Sequence, residues 1–325
     1  VKQVAIAGPA GSGKTTLWRA VTGGRAQGHL AAVPVDDPRL DELVRLHSSR
    51  KRVPVQIEVV DVTEIARTQP EAVAKMRQAD ALLVTLPAFG GLDPEKAFSS
   101  FRDDLLLADM APFETRLERA KKDPAARNEA PALEAALNVL NEGRFLSHKE
   151  WERGQLQVFS PMAPLTLKPV VAVFNVDEDG IGRFEPPSLE PEVDRFVACA
   201  ALEAEAAGLD PEEARSLLSA YGIDQPALDK VIVAIYRSLD LITFFTAGDT
   251  ESRAWEVTRG ATAPEAAGAI HSDIQRGFIR AEVATYEDIV AAGSWDAAKA
   301  KGLIRTEGKD YVFAEGDVTH FRFNV

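Results

Sequence analysis

The sequence predicts an α/β protein: a doubly wound, mostly parallel sheet with an inserted pair of helices, followed by a small α+β module. Three observations predict it. Apolar, β-branched runs alternate with helical stretches from Val4 to Asn175, a glycine-rich loop joins the first strand to the first helix, and the texture changes after about Asp240. The 325 residues carry 37 Lys and Arg against 50 Asp and Glu, a net charge of −13, and 46% are hydrophobic. This length accommodates two domains, and the composition excludes disordered, fibrous and disulfide-scaffold classes. Cys199 is the only cysteine, so no internal disulfide forms and a cytoplasmic location is expected. No apolar run nears the roughly 20 residues that span a bilayer. The opening VKQVAIAG reads as a strand running into glycines and not as a signal peptide or anchor. The acidic balance argues against DNA coating, so no DNA partner is expected, while a local RNA contact stays open.

Val4–Ala7 forms the first strand and Lys14–Val21 the first helix. DPRLDELVRL, from Asp37 to Leu46, places Leu40, Leu43, Val44 and Leu46 at near-helical spacing behind a proline. Val55–Val60 is a second strand ending at Asp61, Pro70–Gln78 a helix, Ala81–Leu86 a third strand and Val170–Phe174 a fourth ending at Asn175. Between the last two lies a charged stretch, 93–157, in which Leu105, Leu106, Phe113 and Leu117 precede a DPAARNEAP break and Leu133, Leu137 and Leu140 follow it. This spacing predicts an α-hairpin projecting from the sheet; two crossover helices packed on the sheet are the alternative. After Asp240, LITFFTA, SRAWEV and FIRAEVATYEDI read as strands and PEAAGAIHSDIQ as helix. The closing KDYVFAEGDVTHFRFNV reads as a hairpin turning at Glu315-Gly316-Asp317.

The strongest chemical signal is GPAGSGKTT, Gly8 to Thr16, which satisfies G-x-x-x-x-G-K-[ST]. Its glycines let successive N–H groups converge on phosphate oxygens, and the next helix aims its positive end there. Ala10, Gly11, Ser12, Gly13, Lys14, Thr15 and Thr16 are the predicted cradle. Lys14 is the catalytic candidate, reaching the outer phosphates, and Thr15 the Mg²⁺ ligand. Asp61 ends a strand where a second Mg²⁺ carboxylate belongs, although an Asp there also serves as a turn residue. Asn175-Val176-Asp177-Glu178 occupies the place of the N-x-x-D base-reading motif, ending in Glu where guanine readers carry Asp. A polar turn closing the strand is the simpler reading of these four. Arg50-Lys51-Arg52, near Arg45, is the densest basic cluster and reads as a solvated loop or an RNA contact. His271 and His320 read as structural or surface residues, and Trp255, Tyr286, Tyr311 and Phe321 as core of the last module.

Five stretches carry a resemblance: DPRLD at 37–41, LTLKPVVAVFNVDEDG at 165–180, FFTAGDTESRAWEV at 244–257, GATAPEAAGAIHSDIQRGFIRAE at 260–282 and EGKDYVFAEGDVTHFRFNV at 307–325. Through them the chain resembles the YchF subfamily of Obg-like P-loop proteins. The resemblance implies a P-loop NTPase domain over 1–239 with a helical coiled-coil insert at 93–157, and a β-grasp (TGS) domain over 240–325. It implies ATP, with GTP as the alternative, read by Asn175, Val176 and Glu178 and flanked by Ala200, Ala201 and Leu202. It further implies Mg²⁺ and a ribosomal or RNA partner. The chain departs from the family's G-x-P-N-V-G-K-S-T loop, with Gly11 and Ser12 in place of Asn-Val and Thr15 in place of Ser. No Thr lies between Thr22 and Thr63, so the first-switch threonine is absent, and Asp61-Val62-Thr63-Glu64 lacks the glycine of D-x-x-G. The site keeps what grips the β-phosphate and loses what senses the γ-phosphate. Glu64 is the only nearby carboxylate in that stretch to consider as a general base. Three readings follow: a slow ATPase yielding ADP, a non-hydrolysing nucleotide-bound adaptor, and a P-loop kinase. The C-terminal resemblance argues against the third.

Overall fold

The computed structural model describes residues 1–24, 28–62 and 70–324. The chain divides into two units, one of Val1–Val33 and Ile57–Ile235, the other of Pro34–Gln56 and Tyr236–Val325. The elements in order are β1 (Gln3–Ala7), α1 (Lys14–Val21), β2 (Leu30–Pro34), α2 (Pro38–His47), β3 (Lys51–Val53), β4 (Gln56–Asp61), α3 (Pro70–Gln78), β5 (Ala81–Pro87), α4 (Pro94–Lys122), α5 (Ala130–Asn141), α6 (Arg153–Phe159), β6 (Val170–Asn175), β7 (Asp194–Ala198), α7 (Ala200–Ala206), α8 (Pro211–Ala220) and α9 (Ala227–Ser238).

In the first unit the strand order is β2-β4-β1-β5-β6-β7. β1 runs parallel to β4 and β5, as β6 does to β5 and β7. β5 is buried at every position, as a central parallel strand covered on both faces must be. The connection from β6 to β7 holds a single 3₁₀ turn, Glu178–Gly180, where a crossover helix is usual. Asp93 starts α4 by accepting from Lys96 N at 3.1 Å. α4 and α5 form the expected helical pair, tied across by Arg116–Glu129 at 2.7 Å and Lys121–Glu134 at 3.0 Å. Their apolar faces join the sheet's own core: Phe98, Phe101, Leu105 and Leu133 cluster with Leu82, Val84, Leu86 and Phe174. The insert therefore combines both expectations, a hairpin whose base packs on the sheet.

Pro112 lies inside α4 and leaves the Ala108 carbonyl without its helical donor. Arg77 Nη2 supplies one at 2.7 Å. Arg77 Nη1 also pairs with Asp109 at 2.9 Å. Asp109 is wholly buried and accepts from Leu165 N (3.0 Å), Thr166 N (2.8 Å) and Thr166 Oγ1 (2.8 Å). Each buried charge thus has a partner, and α3, α4 and the approach to β6 are locked at one point.

The second unit continues with β8 (Leu241–Ala247), β9 (Glu251–Thr258), α10 (Ala263–Ile270), α11 (Ser272–Arg276), β10 (Phe278–Thr285), α12 (Tyr286–Ala292), α13 (Trp295–Ala300), β11 (Arg305–Glu307) and β12 (Asp317–Phe323). Its sheet runs β11-β10-β12-β8-β9-β3. Two expectations are corrected. Tyr286-Glu287-Asp288-Ile289 opens α12 and does not continue the strand, because Thr285 Oγ1 accepts from Asp288 N at 3.1 Å and acids fill the first turn. The closing hairpin does not form: β12 pairs antiparallel with β10 and parallel with β8, leaving no free edge for the residues before Glu315. Instead Val312 bridges Thr262. The basic cluster at 50–52 includes β3, parallel to β9, with Lys51 on Glu251 and Arg52 on Asp36 and Asp41. His320 stacks on Trp295 at 4.1 Å, and His271 accepts from Asp273 N at 3.1 Å. Tyr311 and Phe321 pack with Phe244 and Phe313 in the core, as does Trp255.

Candidate phosphate-binding site

The loop Gly8–Gly13 leaves β1 and enters α1 at Lys14. Gly8 has φ +136°, and a Cβ there would lie 2.3 Å from the Thr85 carbonyl oxygen on β5. Gly13 has φ +91°, and a Cβ would lie 2.1 Å from Asn175 Nδ2. Only glycine satisfies both the angle and the space, and the close approach seats the loop on its neighbours. Gly13 starts α1. Among the described residues no side chain caps this helix start, and the first turn carries no acid to offset its positive end. Lys14 Nζ folds over the loop and donates to the Pro9 carbonyl at 2.8 Å. Ala10, Gly11 and Thr15 are exposed, Thr16 is half-buried and Ser12 is buried.

The parallel register brings the other candidates to the same end of the sheet. Asp61 pairs with Ile6, two residues before the loop begins, and its carboxylate is almost completely buried. Asn175 pairs with Pro87 at the end of β5. Its Nδ2 donates to the Ser12 carbonyl at 3.0 Å, and its Oδ1 accepts from Ala200 N at 3.0 Å. One buried amide thus ties the phosphate loop to the 199–202 segment, donating on one side and accepting on the other. Val176 is buried, and its N–H donates to the Ala198 carbonyl at 3.0 Å. Ala200 and Leu202 are buried and Ala201 is exposed. Cys199 is buried at the start of α7, where loss of water pushes its thiol up. Asp177 accepts from Gly180 N at 3.1 Å, closing the turn that carries exposed Glu178.

These residues fit a phosphate-bearing ligand, since a glycine loop pressed onto β5 and Asn175 leads into a helix start that carries no acid in its first turn. Among the described residues no group of three or more His, Cys, Asp or Glu forms a metal cage. A hydroxyl such as that of Thr15 and a carboxylate such as that of Asp61 are oxygen donors of the type that suits a hard cation. Glu64 lies outside the described residues.

Sequence reasoning missed three residues here. His29 accepts from Asp61 N through its carbonyl at 2.8 Å, and its Nδ1 lies 3.9 Å from Asp61 Oδ2. Tyr221 donates to Glu178 Oε2 at 2.9 Å. Glu203 on α7 is buried and accepts from Ala227 N and Leu228 N, both at 3.1 Å, at the start of α9. Burial pushes its carboxyl up to about 7 against the pull of those two donors. None carries a local motif, because each acts on residues brought near by the fold.

This fold and this loop define a protein of the P-loop class, with an α/β sheet unit and a second, mixed unit. The YchF-GTPase_C family model, described as a protein of unknown function (DUF933), matches residues 241–324. The chain is 35% identical to the Ribosome-binding ATPase YchF of Haemophilus influenzae and 34% identical to that of Bacillus subtilis, with 98% of each chain covered in both comparisons. The structure of the Schizosaccharomyces pombe YchF GTPase matches with a TM-score of 0.91 at 26% identity, covering 99% of this chain and 97% of that one. The chain belongs to the YchF family.

Proposed function

We propose that the chain binds Mg-ATP in preference to GTP at Gly8–Thr16, hydrolyses it slowly to ADP, and acts at the ribosome in the cytoplasm. The observation that carries this reading is the glycine-bound loop at the uncapped start of α1, tied by Asn175 to the 199–202 segment. Ala10, Gly11, Ser12, Gly13, Lys14 and Thr16 cradle the phosphates, and Lys14 stabilises charge on the transferring group. Thr15 and Asp61 hold the cation, which supplies charge neutralisation when bound. Asn175, Val176 and Glu178 face the base on one side, with Ala200, Ala201 and Leu202 on the other. Ribosome action rests on the names of the relatives, which match over nearly the whole chain. The reading of 240–325 as a separate, TGS-type domain is supported by the family match over 241–324.

A non-hydrolysing adaptor is the second reading. The lack of a Thr in 23–62 and of the D-x-x-G glycine, where Glu64 stands, favours it, since both switches lose their γ-phosphate contacts. Single-turnover Mg-ATP hydrolysis with excess protein decides between the two. Hydrolysis that disappears in Lys14→Ala supports the ATPase, and intact ATP after prolonged incubation supports the adaptor. In both cases nucleotide should raise the melting temperature of the parent but not of Lys14→Ala; equal shifts would overturn the assigned site.

A further inference from the structure

We propose that Tyr221 is a positioning residue for base selection, holding the Glu178 carboxylate in a pose that denies guanine its two-point contact. This rests on the reading of Glu178 as the base-facing carboxylate. The Tyr221 hydroxyl donates to Glu178 Oε2 at 2.9 Å across 43 residues of sequence. The backbone at both ends of that bond is held, while the two side chains are exposed. Glu178 stands in a 3₁₀ turn closed by Asp177. Tyr221 is the residue after α8, and its N–H donates to the Leu218 carbonyl at 3.1 Å. Leu218 and Ile223 on either side pack with Val176, Cys199 and Leu202, the same small core that backs the 199–202 segment.

Guanine presents two adjacent donors, N1–H and the 2-amino group, and a carboxylate reads them only with both oxygens turned toward the ring edge. A carboxylate whose Oε2 accepts from the Tyr221 hydroxyl is drawn toward it and has one lone pair of that oxygen engaged, which turns it from the pose that meets both guanine donors. Adenine offers no such donor pair and loses nothing. The selection against guanine thus belongs to the pair Glu178–Tyr221 and not to the carboxylate alone.

The test measures ADP and GDP affinities of the full chain by calorimetry without Mg²⁺, so that hydrolysis plays no part. Tyr221→Phe, which keeps the ring, should strengthen GDP relative to ADP by about 2- to 10-fold, the range of one hydrogen bond redirected. In a Glu178→Ala background the same substitution should leave the ratio unchanged, a coupling that a merely structural role would not produce. If Glu178→Ala shifts the ratio but Tyr221→Phe does not, the positioning role is wrong and the base reading survives. If Glu178→Ala leaves the ratio unchanged, the base reading falls and takes this proposal with it. Absence of ADP binding by the parent would overturn the proposed function itself.

Discussion

Glu203 joins α7 to the first N–H groups of α9 through a carboxylate that the surroundings shield from water. Its folded pKa is raised from the ordinary 4.5 to about 7, so the native state holds a proton that the unfolded chain releases earlier. Stability from this group is therefore greatest below about pH 4.5 and falls as pH rises to about 7, by about 3 kcal/mol. Glu203→Gln removes the titration and keeps one of the two acceptor oxygens. Urea midpoints from about pH 5 to about pH 8 should fall less in the variant than in the parent, and parallel profiles would refute the assignment. The contrast with Lys14 is instructive. Lys14 and its glycines are legible because a loop motif is local, whereas Glu203 sits in VACAALEAEAAG, where an acid on a helix reads as solvated. Only the approach of α9, more than twenty residues on, reveals the carboxylate as buried.

The helical insert is held at its base by side-chain chemistry as well as by apolar packing. The Asp109 carboxylate serves Arg77, Leu165 and Thr166 together, while Arg77 also answers the carbonyl that Pro112 frees. Asp109→Ala would leave a guanidinium and two N–H groups without that acceptor. The expected loss is about 3–5 kcal/mol of unfolding free energy, read by urea denaturation. A loss under about 1 kcal/mol would show that water replaces the carboxylate at little cost. Helix periodicity made α4 and α5 legible, since Leu105, Leu133 and Leu137 recur at the right spacing. It could not show whether they project or pack, because the same apolar stripe serves either arrangement. The closing hairpin failed for a related reason: alternation marks residues fit for a sheet but not which edge receives them, and β12 is enclosed by β10 and β8.

For the whole molecule, the agreement with relatives over 98% of the chain bears on the partner. The full chain should co-sediment with ribosomes in at least one of the nucleotide-free, ADP-bound and ATP-bound states. Failure in all three would remove the ribosome from the proposed function. Among the described residues no helix is long and apolar enough to cross a membrane. Four strands of the first unit's parallel sheet and the mixed character of 240–325 were legible, but the strands Leu30–Pro34 and Asp194–Ala198, the strand order and the membership of 34–56 were not. β3 is three residues long and two of them are basic, so nothing in its composition announces a strand. Its partner β9 is about 200 residues further along, and the pairing of Lys51 with Glu251 exists only after both have been made. At about 5–20 residues per second, roughly 10–40 s of synthesis separate the two strands. During that interval the nascent 34–56 segment has emerged without its sheet. The second unit can close only near the end of translation, and an isolated 236–325 fragment would begin life with the β9 edge bare.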